Sequence, residues 1–387
     1  MSLQYIFLFG RNPKLSYLEL ASYFSARHIS FKPFFMEQRS ALLEISDTID
    51  AKTIVNELAG TVKIAEVLFS CKDSELKEKI EAASLYDGTS NKIIYFVEVI
   101  NASPSLREHF KRHFKMIGIK ALHKSLAPHT IAKTKQEYVD FILLRQGNLY
   151  YVAKTLACAD PFKFKERDVS RPVIEPKIMS SIRLSRMLVN LAGLLPRATI
   201  LDPFCGIGTV LQEAMLMGFD VKGVELDESR VKNCIENLKW LKESYQLKES
   251  FDVFHGDATR LSEYFAKESI DAIVTEPELG PLLKKRPSEA EAKTTIARLQ
   301  ALYEKFFKEA SVVLKPFGRI VIVIPRFRTE NFKLFDVDIE KILSEADFKI
   351  HNPTKGTAIE MSIPQIYKEE WHRIERQIYI FEKYLRH

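Results

Sequence analysis

Apolar positions are spaced differently in the two parts of the chain, and the spacing predicts a different fold class for each. In the first 70 residues, the strand-like runs QYIFLFG, SALLEIS and TVKIAEVLFS are separated by helical spacing at 15–26 and 51–60. The next stretch contains the strand KIIYFVEVI, a basic helix over 104–117, and the runs VDFILLRQG and LYYVAKTLA. Gly147-Asn148 joins the last two runs as a hairpin. The pattern predicts two small α+β units.

Residues 159–178 contain prolines and charges without a period, which predicts a linker. From residue 179 to 387, helices and strands alternate, as is typical of an α/β unit with a parallel sheet. The predicted helices cover 208–217, 227–243, 258–267 and 291–314. The predicted strands are TILDPF, DVKGVEL, FDVFHGD, DAIVTEP and RIVIVIP, and FKIHNP and RQIYIFEK form a final antiparallel pair.

Composition narrows the class of protein. A chain of 387 residues is expected to hold two or three domains. No apolar run approaches the roughly 20 residues that a membrane-spanning helix needs, and the opening YIFLFG lacks the features of a signal peptide. The four cysteines are scattered and form no CxxC pair. We therefore predict a soluble, cytoplasmic protein without a disulfide framework or a zinc site.

The net charge of +6 is concentrated between residues 102 and 135, where Glu108 is the only acid. Such a stretch favours binding to a phosphate backbone, although a solvated helix surface is the alternative. His109 and His113 are spaced like metal ligands on a helix, but we expect RNA contact or plain surface, because the glutamate of the zinc-protease motif is absent. The basic residues of the stretch are Arg107, Lys111, Arg112, Lys115, Lys120, Lys124, Lys133 and Lys135.

A glycine turn follows a buried strand in ILDPFCGIGTVLQEA, residues 200–214. Gly206 and Gly208 allow a ligand to approach the backbone, and the following helix offers free N–H groups at its start. A dinucleotide-binding turn would place a third glycine where Leu211 stands, and a phosphate loop would end in Gly-Lys-Ser/Thr. The turn therefore predicts a nucleoside ligand without a pyrophosphate.

Acidic residues close three successive predicted strands. Asp202 ends the first, Glu225 lies 23 residues later at the end of the next, and Asp257 follows the third. In a parallel sheet these positions share the carboxyl edge, where carboxylates can accept the hydroxyls of a ribose and the amine of an adenine. The pattern favours S-adenosylmethionine as ligand. The alternative is that these residues are ordinary loop acids and helix caps.

The segment DPFCGIGTVLQEA resembles motif I of the amino-directed class I methyltransferases that act on nucleic acid bases. LAGTVKIAEVL, RDVSRP, SSIRLSRMLVNLAG and RQIYIFEK are similar to segments of the THUMP-containing tRNA guanine-N2 methyltransferases, above all those that modify guanosine 10. This resemblance implies tRNA as partner. It also implies a ferredoxin-like domain (1–70), a THUMP RNA-binding domain (71–158), a linker (159–178) and a Rossmann-like methyltransferase domain (179–387).

In that family an Asp/Asn-Pro-Pro-aromatic turn after the fourth strand orients the amine. Here the turn reads TEPELG, so Glu276 and Pro277 match, whereas Glu278 replaces the second proline and Leu279 the aromatic residue. The resemblance assigns the RNA to the basic residues Arg107, Lys111, Arg112, Lys115, Lys120 and Lys124. It assigns the cofactor to Asp202, Pro203, Phe204, Gly206, Gly208, Thr209, Glu225, Asp257 and Ala258. No metal site is predicted.

Two other functions are compatible with these motifs. Because of the divergent turn, the chain could be a catalytically impaired RNA-binding protein. It could also be a methyltransferase for DNA amino groups, against which the tRNA-like first half argues. A small activating subunit is a possible further partner, and the sequence leaves the oligomeric state open.

Three smaller features have more than one interpretation. Arg167, Asp168 and Arg171 either clamp RNA or lock the linker to the catalytic domain. The charged segment 282–298 is a lid, an RNA contact or the start of a helix. Cys205, within the glycine turn, is expected to be a small buried residue.

Overall fold

The computed structural model describes residues 2–124, 137–175, 181–367 and 373–384. Its first part is built on one eight-stranded sheet in the order β2-β3-β1-β4-β8-β7-β5-β6. The elements are β1 (Leu3–Phe9), α1 (Pro13–Ala26), β2 (Phe31–Glu37), β3 (Ser40–Ile45), α2 (Ala51–Glu57), β4 (Thr61–Lys72), α3 (Leu76–Ala82), β5 (Lys92–Ile100), α4 (Arg107–Met116), β6 (Lys120–His123), β7 (Tyr138–Gln146) and β8 (Leu149–Cys158).

This sheet continues across residue 70, the predicted boundary between two units. β4 is long enough to pair with β1 through its first half and with β8 along most of its length. The predicted hairpin at Gly147-Asn148 is confirmed, since Gln146 is the register partner of Leu149. β2 was not predicted. It pairs only with β3 at the edge of the sheet, and its exposed Lys32 and its Pro33 obscure the alternation of a strand.

The second part contains a nine-stranded sheet in the order β11-β10-β9-β12-β13-β17-β15, with β14 and β16 attached at its sides. The first five strands are parallel, and β17 pairs antiparallel with β15, as predicted. On its other side β17 pairs antiparallel with β13, which was not predicted. The elements are α5 (Pro161–Ser170), α6 (Ile182–Leu191), β9 (Thr199–Asp202), α7 (Thr209–Leu216), β10 (Asp220–Glu225), α8 (Glu228–Ser244), β11 (Phe251–His255), β12 (Ile270–Thr275), α9 (Glu289–Val313), β13 (Leu314–Arg328), β14 (Leu334–Asp336), α10 (Ile339–Glu345), β15 (Phe348–Ile350), β16 (Gln365–Tyr367) and β17 (Ile374–Lys383).

Helices cover both faces of this sheet, which explains why its strands read as continuous apolar runs. Successive residues of β9 show this directly. Ile200 packs into the cluster formed with α6, α7 and α8, and Leu201 packs into the opposite cluster formed with α9 and α10. The α/β class predicted for 179–387 is confirmed for the described residues. Within those residues, each helix lacks the length or the apolarity to span a bilayer.

The predicted linker is helical over much of its length. Asp160 caps α5 by accepting a hydrogen bond from the Phe162 amide at 2.9 Å, and Pro161 occupies the first helical position. Arg167 donates from its Nε to the buried Glu213 of α7 at 2.9 Å, and Arg171 donates to the Thr209 hydroxyl at 3.1 Å. Of the two interpretations for these arginines, the lock on the catalytic domain is the one that the structure supports.

Two other local predictions are wrong. The helix predicted over 258–267 is a short 3₁₀ turn, Ala258–Glu263, in which Arg260 departs from helical geometry with φ −143°. His113 is not a surface residue, because it packs beside Phe114 in the core, and its Nδ1 lies 3.3 Å from the Glu81 carbonyl. The helical spacing of α4 explains this burial, since Phe110, His113 and Phe114 lie on one face of the helix.

Candidate active site

Three neighbouring parallel strands bring the predicted acids to one edge of the sheet. β9 lies between β10 and β12, and β11 pairs with the outer side of β10. Asp202 ends β9 and Glu225 ends β10, while Asp257 stands two residues beyond the end of β11. The predicted arrangement at the carboxyl edge is therefore confirmed as a topology. This is the edge at which open α/β sheets form their ligand crevice.

The two glycines of the turn are required for different structural reasons. Gly206 has φ +52°, and a Cβ added there would meet no atom within 4 Å, so open space lies above this residue. Gly208, with φ +86°, precedes the first residue of α7, and an added Cβ would lie 2.7 Å from Cys234 Sγ. Gly206 therefore borders open space at the carboxyl edge of the sheet, whereas Gly208 lets α7 pack closely against α8.

Asp202 is almost completely buried at the end of β9. Its Oδ1 accepts hydrogen bonds from the Phe204 amide at 3.1 Å and from the Thr275 hydroxyl at 2.7 Å. Burial raises the pKa of Asp202 to about 7, the two hydrogen bonds oppose the shift, and the nearby Glu225 and Glu276 add to it. The carboxyl group can therefore change its charge near neutral pH.

Glu225 connects the second strand to the glycine turn. Its Oε2 accepts from the Gly206 amide at 2.9 Å, and its Oε1 accepts from the Asp227 amide at 3.0 Å. Asp257 accepts from the Thr259 amide and hydroxyl, both at 2.8 Å, through the single oxygen Oδ1. Asp257 thus caps the turn that follows β11, as the alternative interpretation predicts, and it lies at the carboxyl edge of the sheet.

Glu276 follows directly after β12 and forms an ion pair that no sequence pattern predicts. Arg376 of β17 reaches across β13, and its Nε lies 2.5 Å from Glu276 Oε1. Both side chains are largely shielded, with exposed fractions of 8% for Glu276 and 21% for Arg376. One hundred residues separate the partners in sequence, and only the antiparallel placement of β17 beside β13 brings them together.

The residues that depart from the family turn make contacts other than this pair. Glu278 forms a two-pronged ion pair with Arg298 of α9, at 2.8 and 2.5 Å. Its carbonyl accepts from the buried Tyr303 hydroxyl at 2.7 Å, which fixes the turn to the helix. Leu279 packs against the core. Pro277, between them, is buried.

The remaining predicted cofactor residues have mixed environments. Phe204 is half-buried, and its ring packs edge-on against Phe306 at a centroid distance of 5.5 Å. Thr209 is buried and its hydroxyl accepts from Arg171, so its side chain serves the connection to α5. Pro203 and Ala258 are also buried. Cys205 is buried, as predicted.

The predicted RNA-binding residues lie on α4, on β6 and, for Lys124, directly after β6, which is an edge strand of the first sheet. Arg107 is half-buried and donates from Nε to the Val97 carbonyl at 3.0 Å, and Lys124 is also half-buried. Lys133 and Lys135 lie outside the described residues. The side chains that are exposed to solvent are Lys111, Arg112, Lys115 and Lys120.

Comparison with known proteins agrees with this geometry. Residues 171–335 match the UPF0020 family, an RMKL-like methyltransferase domain. The chain is 30% identical over 169 residues to a probable tRNA (guanine(10)-N2)-dimethyltransferase of Methanothermococcus thermolithotrophicus, covering 42% of this chain and 93% of that relative. The chain belongs to the tRNA (guanine(10)-N2)-dimethyltransferase family.

A second member of this family, from Methanothermobacter thermautotrophicus, is 32% identical over 197 residues, which is 51% of each chain. The chain thus spans about half the length of this curated relative. The crystal structure of TrmN from Thermus thermophilus matches 98% of this chain and 99% of its own, with a TM-score of 0.57 and 15% identity. That likeness shows that the fold is shared across both parts of the chain.

Proposed function

We propose that this protein methylates the exocyclic N2 amine of a guanine in tRNA, with S-adenosylmethionine as methyl donor. The observation that carries the proposal is the position of Glu276. Its carboxylate stands at the end of β12, directly beside the strand that ends in Asp202. An acceptor for an amine is thereby next to a nucleoside-type crevice. The family membership points to position 10, and the name of the relatives points to the addition of two methyl groups.

The residues of the crevice suit the proposed donor. The open space above Gly206 admits a ligand to the backbone. Glu225, whose oxygens bind the Gly206 and Asp227 amides, presents a carboxylate on the rim that can also accept ribose hydroxyls. Asp257 keeps its place at the edge while it caps the following turn. S-adenosylmethionine supplies a methyl group that is already activated by its positively charged sulfur.

The protein's own part in the reaction is to orient the amine and to exclude water. The lone pair of guanine N2 is delocalised into the ring, so the nitrogen must become pyramidal before it attacks. Glu276 can accept a hydrogen bond from the amine and so aim the lone pair at the methyl carbon. When bound, S-adenosylmethionine would supply the methyl carbon for the new N–C bond and keep the electron pair of its broken C–S bond on sulfur, and the proton lost from N2 would pass through its hydrogen-bond acceptor to solvent.

The first part of the chain is proposed to bind the tRNA. We propose that 1–70 is a ferredoxin-like domain and 71–158 a THUMP domain, joined to the methyltransferase domain by 159–178. The exposed cations of α4 and β6 support this role, since a cluster of one sign attracts a phosphate backbone. The proposed location is the cytoplasm, where a small activating subunit is a possible further partner.

Incubation of the protein with unmodified tRNA and labelled S-adenosylmethionine tests the proposal. Nucleoside analysis of the product should show N2-methylated or N2-dimethylated guanosine at position 10. Duplex DNA should neither accept label nor compete with tRNA, and label in DNA would favour the amino-directed DNA methyltransferase instead. Absence of label from both nucleic acids would contradict the proposal.

In the same assay, the Glu276→Ala variant distinguishes methyl transfer from cofactor binding. Transfer should be abolished while cofactor affinity, measured by calorimetry, stays within about twofold, because Glu276 lies at the amine position and not in the crevice. Arg298→Ala is a matched control, since it removes the exposed partner of Glu278 in the same turn. Unchanged turnover in Glu276→Ala would remove this carboxylate from the mechanism.

A further inference from the structure

The ion pair of Glu276 and Arg376 has a feature that amine orientation alone does not explain. A single carboxylate is sufficient to accept hydrogen bonds from an amine, yet here it is held against a guanidinium from a distant strand at 2.5 Å. The chain thereby places a hydrogen-bond acceptor and a donor side by side at the position proposed for the base. The pair can recognise a larger part of the base than its amine.

The two side chains lie on the same face of the sheet as Asp202. Residue alternation along the strands shows this, because Ala272 and Val274 of β12, like Ile378 and Ile380 of β17, belong to one core cluster. Arg376 lies two positions before Ile378 in β17 and continues that face, and the ion pair brings Glu276, the first residue after β12, to the same side. The pair therefore faces the side on which Ile200 precedes Asp202 along β9.

The hydrogen-bonding edge of guanine is complementary to such a pair. It presents two neighbouring donors, N1–H and the N2 amine, followed by the acceptor O6. A carboxylate can accept from both donors at once, and a guanidinium, with five N–H donors in a planar fork, can bridge a carboxylate and a second acceptor. Adenine would oppose its N1 acceptor to the carboxylate and its N6 amine to the guanidinium. The arrangement thus distinguishes the two purines.

We propose that Glu276 and Arg376 together read the base edge of the target guanine, with Glu276 accepting from N1–H and the N2 amine and Arg376 donating to O6. Arg376 is then a specificity-determining residue for the reaction. This inference rests on the proposed function. The sulfur chemistry and the cofactor crevice are independent of it.

A base analogue tests the inference without relying on the loss of activity. Two tRNAs are compared, one with guanine and one with 2-aminopurine at the target position, since 2-aminopurine keeps the 2-amine but lacks both N1–H and O6. The wild-type protein should prefer guanine in kcat/KM by about 100-fold or more, because a site with polar groups rejects a substrate that leaves them unpaired. Arg376→Gln and Arg376→Lys are measured on both tRNAs.

The ratio of the two kcat/KM values is the decisive quantity. In Arg376→Gln it should fall by about tenfold or more, mainly through slower reaction with guanine, while Arg298→Ala should leave it unchanged. Arg376→Lys keeps the charge beside Glu276 and should give an intermediate ratio, which decides the question if the glutamine variant fails to fold. An unchanged ratio, or an equal loss on both tRNAs, would overturn the inference. A wild-type protein that methylates neither tRNA would instead overturn the proposed function itself.

Discussion

We expect the buried carboxyl group of Asp202 to make cofactor binding dependent on pH. With a pKa of about 7, this group is mostly protonated at pH 6 and mostly ionised at pH 8. S-adenosylmethionine carries positive charge and hydroxyl donors, so it should bind the ionised form of the site. Affinity should therefore rise as the pH is raised through 7.

The size of this effect follows from the position of the pKa. If only the ionised form binds, about one molecule in ten is competent at pH 6 and about nine in ten at pH 8. The Kd should therefore fall by about tenfold over this range, which corresponds to about 1.4 kcal/mol.

The free energy of unfolding of the ligand-free protein should decrease as the pH is raised, whereas the affinity for the cofactor increases. Because the folded-state pKa lies above the ordinary value of 3.8, the contribution of protonated Asp202 is lost as the pH rises through about 7.

Calorimetry between pH 6 and 8 on the wild type and on Asp202→Asn measures this effect. The asparagine oxygen can still accept from the Phe204 amide and the Thr275 hydroxyl, so the variant should fold. It should bind more weakly and without the tenfold change in Kd that Asp202 causes. Titration of the ligand's own amine affects both proteins and cancels in the comparison. An identical pH profile for the two proteins would refute the assignment of Asp202 to the cofactor crevice.

Other substitutions test separate parts of the structure. Gly206→Ala should weaken cofactor binding with a stability loss of about 1–2 kcal/mol from its positive φ, whereas Gly208→Ala should cost more, because its Cβ meets the Cys234 sulfur. Denaturation measures the stabilities and calorimetry the affinities. Glu213→Ala should lower the free energy of unfolding by about 3–5 kcal/mol, since two buried arginines lose their partner, and a loss below 1 kcal/mol would contradict this role. The triple alanine variant of Lys111, Lys115 and Lys120 should bind tRNA more weakly, and its affinity for tRNA should depend less on salt concentration, because fewer cations contact the phosphates. Filter binding at several salt concentrations measures both effects, and the affinity for the cofactor should be unchanged.

Features that depend on short-range pattern were predictable from the sequence. The alternation of strands and helices after residue 179, the glycine turn and the acids at successive strand ends all follow from spacing within about 60 residues. The structure places these acids on adjoining strands, as the parallel order requires. Edge strands such as β2 were missed, because a strand that buries one face only partly carries a weak alternation.

Long-range polar contacts could not be predicted, because nothing near a residue in sequence specifies its distant partner. Arg376 is one example, since its position beside Glu276 depends on β17 running antiparallel next to β13. The contacts of Glu213 are another. A glutamate in the helix after a glycine turn looks like a surface residue, yet here it binds Arg167 at 2.9 Å and Arg186 at 2.6 Å.

The same kind of contact sets the orientation of the first sheet relative to the second. Glu19 of α1 is completely buried and accepts from the amides of Ala59 and Gly60 and from Asn190 of α6, each at 2.8 Å. Burial raises its pKa to about 7, and these three hydrogen bonds oppose the shift. Separation of α1 from α6 would break the hydrogen bond between Asn190 and Glu19 and leave both polar groups unpaired among apolar side chains. The first sheet is therefore held in a fixed relation to the carboxyl edge of the second sheet, and the distance between the exposed cations of α4 and the Glu276 carboxylate is a property of the fold.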